Sequence, residues 1–200
     1  MLLYGASGHA KVIISALRAN GIVVCGVFDD DLSKIEVSNI PVLGSYNALT
    51  FSENPLIIAI GYNNIRQKIA AQVAHRFGTV VHPSAVVDES VAMGGGTVVL
   101  HNAVVQADAV LGNHVIVNTS ASIDHDCRIG NFAHIAPNAV LCGSVWVGAG
   151  TLVGAGTVVA PNLKIGQNCL IAAGSVVTRH IPDNAIVRGN PGRIIKINKV

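Results

Sequence analysis

The segment Ser122-Ile123-Asp124-His125-Asp126-Cys127 sets a histidine between two carboxylates. An acid hydrogen-bonded to one imidazole nitrogen fixes the tautomer and raises the basicity of the other nitrogen. So held, His125 is suited to take a proton from an attacking amine or hydroxyl. Only one of the two acids can easily reach the ring, and the sequence leaves open which one. His101, His114, His134 and His180 share this half of the chain. Their bland reading is as solvated turn residues or as cross-strand hydrogen-bonders. No cysteine is placed like a nucleophile, so a covalent intermediate is not expected.

A second cluster lies near the N-terminus. Gly5-Ala6-Ser7-Gly8-His9 follows the apolar Leu2-Leu3-Tyr4 and precedes a helical pattern. Free N–H groups and the helix dipole at such a point favour a phosphate. Asp29 stands 24 residues after Gly5, near the spacing at which an acid meets a ribose or base edge, and Asp30 and Asp31 follow it. Gly61-Tyr62-Asn63-Asn64 forms a third turn. The third glycine of the dinucleotide fingerprint is missing. About eighty residues make only a half-size nucleotide site, which argues against nicotinamide chemistry.

The elements that carry these turns are short. Leu2 to Tyr4, Val23 to Phe28 and Leu56 to Ile60 read as strands. Residues 10–20 carry helical spacing through Val12, Ile13, Ala16 and Leu17, with Gly21 as a C-cap signal. Residues 65–77 read as a second helix. Strands alternating with helices predict a small Rossmann-like parallel α/β unit over residues 1–78. Ligands of such a unit sit at the carboxyl ends of its strands, where all three turns lie.

From residue 79 the rhythm changes. Every sixth residue from Val81 to Val177 is aliphatic, with Met93 the one exception in seventeen positions. A period of six is neither a helix nor simple strand alternation. It describes short strands separated by regular turns, with small residues letting the backbone turn. Three hexads close one coil of a parallel β-helix, and residues 81–178 hold about five coils. No hexad is interrupted. Residues 181–193 break the period and suggest a cap. Eighteen residues after His125 comes Gly143, and eighteen before it Ala107, so the imidazole projects from a column with little bulk. His134 falls between Ile116 and Leu152 in its own column.

Composition sets the outer bounds. Half the residues are hydrophobic, only 4% are aromatic, and there are 21 glycines, which suits a narrow repetitive interior. A net charge of +2 is too small to argue for nucleic acid. The start lacks a basic n-region, so no secretory signal is read. No apolar run is long enough to span a membrane. Cys25, Cys127, Cys142 and Cys169 have neither metal-type spacing nor a disulfide framework, which fits a cytoplasmic protein.

Three features combine: Gly5-Ala6-Ser7-Gly8-His9, the α/β unit behind it, and Asn118-Thr119-Ser120 leading to Ile123-Asp124-His125-Asp126-Cys127-Arg128-Ile129-Gly130. Over nearly the whole chain this resembles the sugar O-acyltransferase family of hexapeptide-repeat transferases, which includes sialic acid O-acetyltransferases. Within it, the chain is most similar to the UDP-4-amino-sugar N-acetyltransferases of the bacillosamine pathway and to the related perosamine enzyme. The resemblance implies a left-handed β-helix over residues 79–200 that binds acetyl-CoA. It also implies a nucleotide-sugar site in residues 1–78, a homotrimer with sites between neighbouring helices, and no metal. A C3 assembly would bury one flat face of an apolar solenoid. By resemblance His125 is the general base and Asp126 its orienting acid, which is Glu in some members. His134, Gly143, Gly154 and Ala172 fall to acetyl-CoA. Arg179, Arg188, Arg193 and Lys196 lie near the C-terminus, where they read either as partners of the coenzyme's phosphates or as solvated surface charges. Gly143 supplies the backbone donor for the thioester oxygen. Gly5, Ser7, Gly8, His9, Asp29, Asp30, Gly61, Asn63 and Asn118 fall to the acceptor.

The expected reaction is transfer of acetyl to the 4-amino group of a nucleotide-linked sugar, UDP-linked by preference. O-acetylation of sialic acid or another sugar hydroxyl is the nearest alternative. A non-catalytic nucleotide-sugar-binding protein is the alternative of another class. A three-histidine zinc site, as in the γ-class carbonic anhydrases, does not match the histidine spacings here.

Overall fold

The computed structural model describes residues 1–198. Its first part is a three-stranded parallel sheet in the order β2-β1-β5, with β1 at Leu2–Tyr4, β2 at Gly26–Phe28 and β5 at Leu56–Ile58. All nine residues are buried, as expected for a parallel sheet covered on both faces. Helix α1 runs Gly8–Ala19 and packs Ile13, Ile14 and Leu17 inward. It ends in a Schellman motif, in which Gly21 (φ +68°) donates to the Arg18 carbonyl and Ile22 to that of Leu17, both at 2.9 Å.

Three expectations need correction. Strand β2 begins only at Gly26, and β5 ends at Ile58. A small hairpin, β3 (Glu36–Val37) with β4 (Ile40–Pro41), was not read from the sequence. Helix α2 covers Asn63–Ala70 and stops well short of Phe77. There the backbone is drawn to the sheet edge instead: Leu56 donates to the Arg76 carbonyl and Gly78 donates to that of Leu56, both at 3.0 Å.

The second part is a left-handed parallel β-helix of two-residue strands, three to a turn. We number its faces in chain order. The first face holds Val80–Val81 and its successors at eighteen-residue steps, including His134–Ile135. The second holds Val86–Val87 onward, including Ser122–Ile123. The third holds Ala92–Met93 onward, including Arg128–Ile129. Inside, the hexad aliphatics stack with a second buried column two residues earlier, where Ala103, Ala109, Ala121, Cys127, Ala133 and Ala139 all sit at 0% exposure. Narrowness explains the composition: three walls this close leave no room for aromatic rings. Buried polar residues there are paired, with Thr151 donating to the Gly166 carbonyl at 2.7 Å and accepting from Cys169 N–H at 2.9 Å.

The turn chemistry differs from the sequence reading. Glycines directly after the hexad aliphatic do not adopt positive φ. A Cβ on Gly112, Gly130, Gly148 or Gly166 would instead lie within 2.8 Å of the next rung, so these glycines serve close rung packing. The left-handed conformation belongs to the residue three after the aliphatic, as at Asn102, Asp108, Ser120, Asp126, Asn138 and Asn162. Asn and Asp tolerate that region best after Gly.

The coil count is also higher than expected. The second face carries six strands, one per turn. The tail continues the helix rather than leaving it, because Ile181 bridges Ile165 and Ala185–Arg188 pairs in parallel with Leu170–Ile171. Ile181 and Val187 are again six apart, so the period resumes after a shortened step from Val177. Arg193–Ile197 then folds back antiparallel as an exposed edge strand of the first face.

The α/β unit lies against the first face, where Ile13, Ile14 and Leu17 share a core with Val98, Leu100 and Ile116. His125 occupies the corner between the second and third faces, across the solenoid from that contact.

Candidate functional site

At that far corner Asp126 adopts φ 60°, which swings its carboxylate back to the preceding side chain. Asp126 Oδ2 meets His125 Nδ1 at 2.8 Å. Asp124 caps the backbone instead, accepting the His125 N–H on Oδ1 at 2.8 Å. The orienting acid is therefore Asp126. The His125 side chain is 58% exposed. The Asp126 hydrogen bond, then the Asp124 charge, hold its pKa above the ordinary histidine value. Nδ1–H faces the carboxylate, so Nε2 is the free basic nitrogen. The ring lies over Gly143, where any Cβ would come within 2.6 Å of Cε1 and Nε2. Among the described residues, the Gly143 N–H donates to nothing. This corner thus offers a base and an open amide side by side.

His134 sits in the opposite kind of place, on the first face beneath the α/β unit. Its Nδ1 is 3.2 Å from the Gly61 carbonyl and its Nε2 is 3.0 Å from Asn118 Nδ2. The Asn118 amide is oriented by Thr119, whose N–H donates to Oδ1 at 2.8 Å. Nδ2 must then donate to Nε2, so the proton of His134 is on Nδ1. Burial and the nearby Arg66 push its pKa down to about 4. His9, at 6.3 Å between ring centroids, is likewise pushed to about 4, mainly by burial, and its buried Nε2 has no partner among the described residues.

The loops after β1, β2 and β5 converge at one edge of the sheet. Gly5 (φ +104°) turns so tightly that a Cβ would strike Ile60 Cγ1 at 2.6 Å. Asp29 joins the first two loops, accepting from Ala6 N–H at 2.6 Å and from Lys34 Nζ at 3.0 Å. Asp31 N–H donates to its Oδ1 at 2.9 Å, and against the opposing effect of burial this bond, then those from Ala6 and Lys34, hold its pKa low. Asp30 accepts from Tyr4 OH at 3.0 Å. Ser7 and Gly8, at the start of α1, are exposed. Asn63 is engaged at both amide atoms: Nδ2 donates to the Gly150 carbonyl at 3.0 Å and Oδ1 accepts from Arg66 at 2.9 Å. Gly61 and Asn63 thus face the solenoid, which the sequence reading did not foresee. Lys34, whose Nζ is 3.2 Å from Ser7 Oγ, was also missed. Its only sequence signal was a lysine five residues after Asp29.

Among solved structures, the chain is similar to PerB from Caulobacter crescentus, crystallised with CoA and GDP-perosamine. The two share 37% identity over 98% of this chain and 96% of that one, with a TM-score of 0.93. The acetyltransferase domain of PglB from Neisseria gonorrhoeae, in complex with acetyl coenzyme A, shares 35% over 97% and 98%, with a TM-score of 0.90. The PglD N-terminal domain family matches residues 1–73, and the bacterial transferase hexapeptide family matches residues 144–179. The chain belongs to the hexapeptide-repeat sugar acyltransferases. A curated relative, an uncharacterised protein of Acanthamoeba polyphaga mimivirus, is 34% identical over 91 residues, spanning 44% of this chain and 19% of that protein.

In this acyltransferase the expected coenzyme residues fall into two groups. His134, Gly154 and Ala172 line one groove of about 470 Å³ on the first face and the corner after it, together with Gly61, Tyr62, Leu152 and Leu170. Gly143 lies instead beside His125, and the exposed Arg179 lies further along that same second–third corner. Arg193 opens the terminal antiparallel strand and Arg188 closes the strand before it; both are exposed. A single chain does not bring the two groups together, because the whole second face lies between them. That face presents Val86, Val104, Ser122, Val140, Val158 and Val176 outward. Among the described residues, no cluster of three or more His, Cys, Asp or Glu is arranged to hold a metal ion. No described helix is long and apolar enough to cross a membrane.

Proposed function

We propose that this chain transfers the acetyl group of acetyl-CoA to the 4-amino group of a nucleotide-linked sugar by direct attack, with His125 as general base. One observation carries the reading: His125 is held by Asp126 with Nε2 free over the unpaired N–H of Gly143. The amine nitrogen attacks the thioester carbonyl carbon and gives up its proton to Nε2. The carbonyl oxygen gathers charge, and Gly143 N–H is the donor for it. The C–S bond then breaks, the proton on Nε2 passes to the sulfur, and coenzyme A leaves as the thiol with His125 neutral again. A positioned base of this kind contributes about 10²- to 10⁴-fold.

Residues 1–78 take the nucleotide sugar in this reading, and residues 79–200 take acetyl-CoA and perform the transfer, the last two lying outside the described residues. Gly5, Ser7, Gly8, His9, Asp29 and Asp30 border the nucleotide. Asn118 and His134 border the reacting groups. The active form is a homotrimer. Its support is the row of half-buried to exposed valines between two half-sites: closed three-fold packing over that face would bring the His125 corner of one copy to the Gly154–Ala172 groove of the next. Four free cysteines agree with a cytoplasmic setting.

A thiol-release assay with acetyl-CoA and a panel of UDP-, GDP- and dTDP-linked 4-amino sugars tests the proposal, with sialic acid alongside. We expect turnover on the UDP-linked sugar. Turnover on a GDP-linked sugar, as the similarity to PerB would favour, would correct the nucleotide alone. Turnover only on sialic acid would replace N- by O-acetylation. The shared site is tested by mixing His125→Ala chains with Asn118→Ala chains. Mixed trimers should regain activity that neither parent has, and failure to do so would overturn a site between copies.

A further inference from the structure

Among the described residues, Arg66 is the largest fully buried side chain, 1% exposed, and no carboxylate faces it. It leaves α2 and crosses the seam between the two parts. Nε donates to the His114 carbonyl at 3.0 Å, and Nη2 donates to the Phe132 carbonyl at 2.8 Å and to Asn63 Oδ1 at 2.9 Å. Nη1 donates to the carbonyls of Ile60 at 3.0 Å and Gly61 at 3.4 Å. All five guanidinium protons are thereby used on neutral oxygens. Burying a charge without a counter-charge costs several kcal/mol, by order of magnitude, unless hydrogen bonds offset it. A hydrophobic residue would join the two parts with no such cost. Something other than adhesion is being served.

The Gly61 carbonyl is where the arrangement leads. Arg66 grips it from one side, and His134 Nδ1–H donates to it from the other. His134 Nε2 then accepts from the Asn118 amide, which leaves the second Asn118 N–H with no acceptor among the described residues. We propose that Arg66 is a positioning residue for acetyl transfer, fixing the Gly61 carbonyl so that His134 holds one tautomer and Asn118 keeps one amide N–H available to a bound ligand. Arg66 does not touch the reacting groups; it acts through two intermediaries. The inference rests on the acetyl-transfer reading above. The charged and titratable groups that face His134 are Arg66 from α2 and His9 from α1, and the Arg66 charge helps to keep both histidines neutral.

The test is ¹⁵N NMR of the histidine rings in the full chain, with Arg66→Gln and Arg66→Lys beside the wild type. The wild-type His134 should be protonated on Nδ1 and should not titrate until about pH 4. In Arg66→Gln the charge is gone. The tautomers of His134 should mix, its titration should move toward the ordinary value, and kcat/KM should fall roughly tenfold to a hundredfold, as for other misplaced site groups. The loss should fall on kcat and add an acid limb to the pH profile. Arg66→Lys keeps the charge without the fork, so His134 should stay neutral while kcat stays low. A folded Arg66→Gln protein with unchanged His134 tautomer and kcat would overturn the proposal. Should that variant not fold, a wild-type His134 protonated on Nε2, or titrating near its ordinary value, would overturn it alone. Wild type that acetylates no acceptor while His134 behaves as described would sink the functional reading and leave the relay standing.

Discussion

His125 and His134 are nine residues apart and are built for opposite ends. His125 stands on an exposed corner, and Asp126 raises its affinity for a proton. His134 is enclosed between two parts of the molecule, and burial with Arg66 nearby lowers its affinity. The same side chain is made more basic in one place and kept neutral in the other. Spacing along the hexads decides which. His125 falls in a turn, where the side chain projects outward over Gly143 of the next coil. His134 falls in a strand on the face that α1 and α2 cover.

The comparison breaks first if His125 is removed. His125→Ala should lower turnover by roughly a hundredfold or more while leaving the fold intact, because a surface side chain is lost and a base with it. His134→Ala should instead cost stability as well as activity, since it empties a half-buried position at the seam and strands the Asn118 amide. Measuring kcat and the melting temperature of both variants separates the two roles. Equal turnover in wild type and His125→Ala would remove the base assignment. Gly143→Ala comes next. Its Cβ would occupy the space of the His125 ring, so turnover should fall by about tenfold to a hundredfold with little change in melting temperature.

Acid sharpens the same contrast. His9, His114 and His134 all have folded-state values of about 4, below the usual 6.5. Between those values the unfolded chain binds more protons than the folded one, so stability falls as pH drops from about 6.5 toward 4. The slope reaches at most about 1.4 kcal/mol per pH unit for each histidine. His125 has the opposite sign, favouring the fold below the ordinary histidine value and losing that contribution as pH rises through its own raised value. Its exposure makes the effect small. Denaturant melts at pH 7 and pH 5 should therefore show a marked loss of stability in acid, and Arg66→Gln should lessen it. A melt indifferent to pH over that interval would contradict the burial of the three rings as neutral species.

The two parts of the chain were unequally legible, and the reason is physical. The β-helix announces itself because one aliphatic every six residues is forced by a wall only two residues wide. The period even survives the shortened step from Val177 to Ile181, which interrupts the six-residue count and hides its resumption at Val187. In the α/β unit each element is a single copy, so no repetition corrects an error. Residues 71–77 have helical composition, but sheet-edge hydrogen bonds to Leu56 override it. The Asp126–His125 pairing was half legible: two acids flanked the ring, and only the left-handed φ of Asp126 chose between them. Arg66 was not legible at all. An arginine on a helix that also carries Asn64, Gln67 and Lys68 reads as solvated surface until the seam brings the carbonyls of His114 and Phe132 to it.

The finest discrimination concerns those two acids. Asp126 touches the ring at 2.8 Å, whereas Asp124 acts on it only through space and caps the backbone. Asp126→Asn should lower the His125 pKa, because the largest cause of its elevation is removed. A base active only when neutral has its acid limb at its own pKa, so the limb of kcat/KM should move to lower pH. Turnover on the plateau should still drop several-fold, since an amide no longer enforces the Nδ1–H tautomer and Nε2 is a weaker base. Asp124→Asn should shift the limb in the same direction but by less, and should leave the plateau nearly unchanged, because an amide oxygen can still accept the His125 N–H. If Asp124→Asn moved the limb further than Asp126→Asn, the through-space charge would dominate and the hydrogen bond would not be what tunes the base.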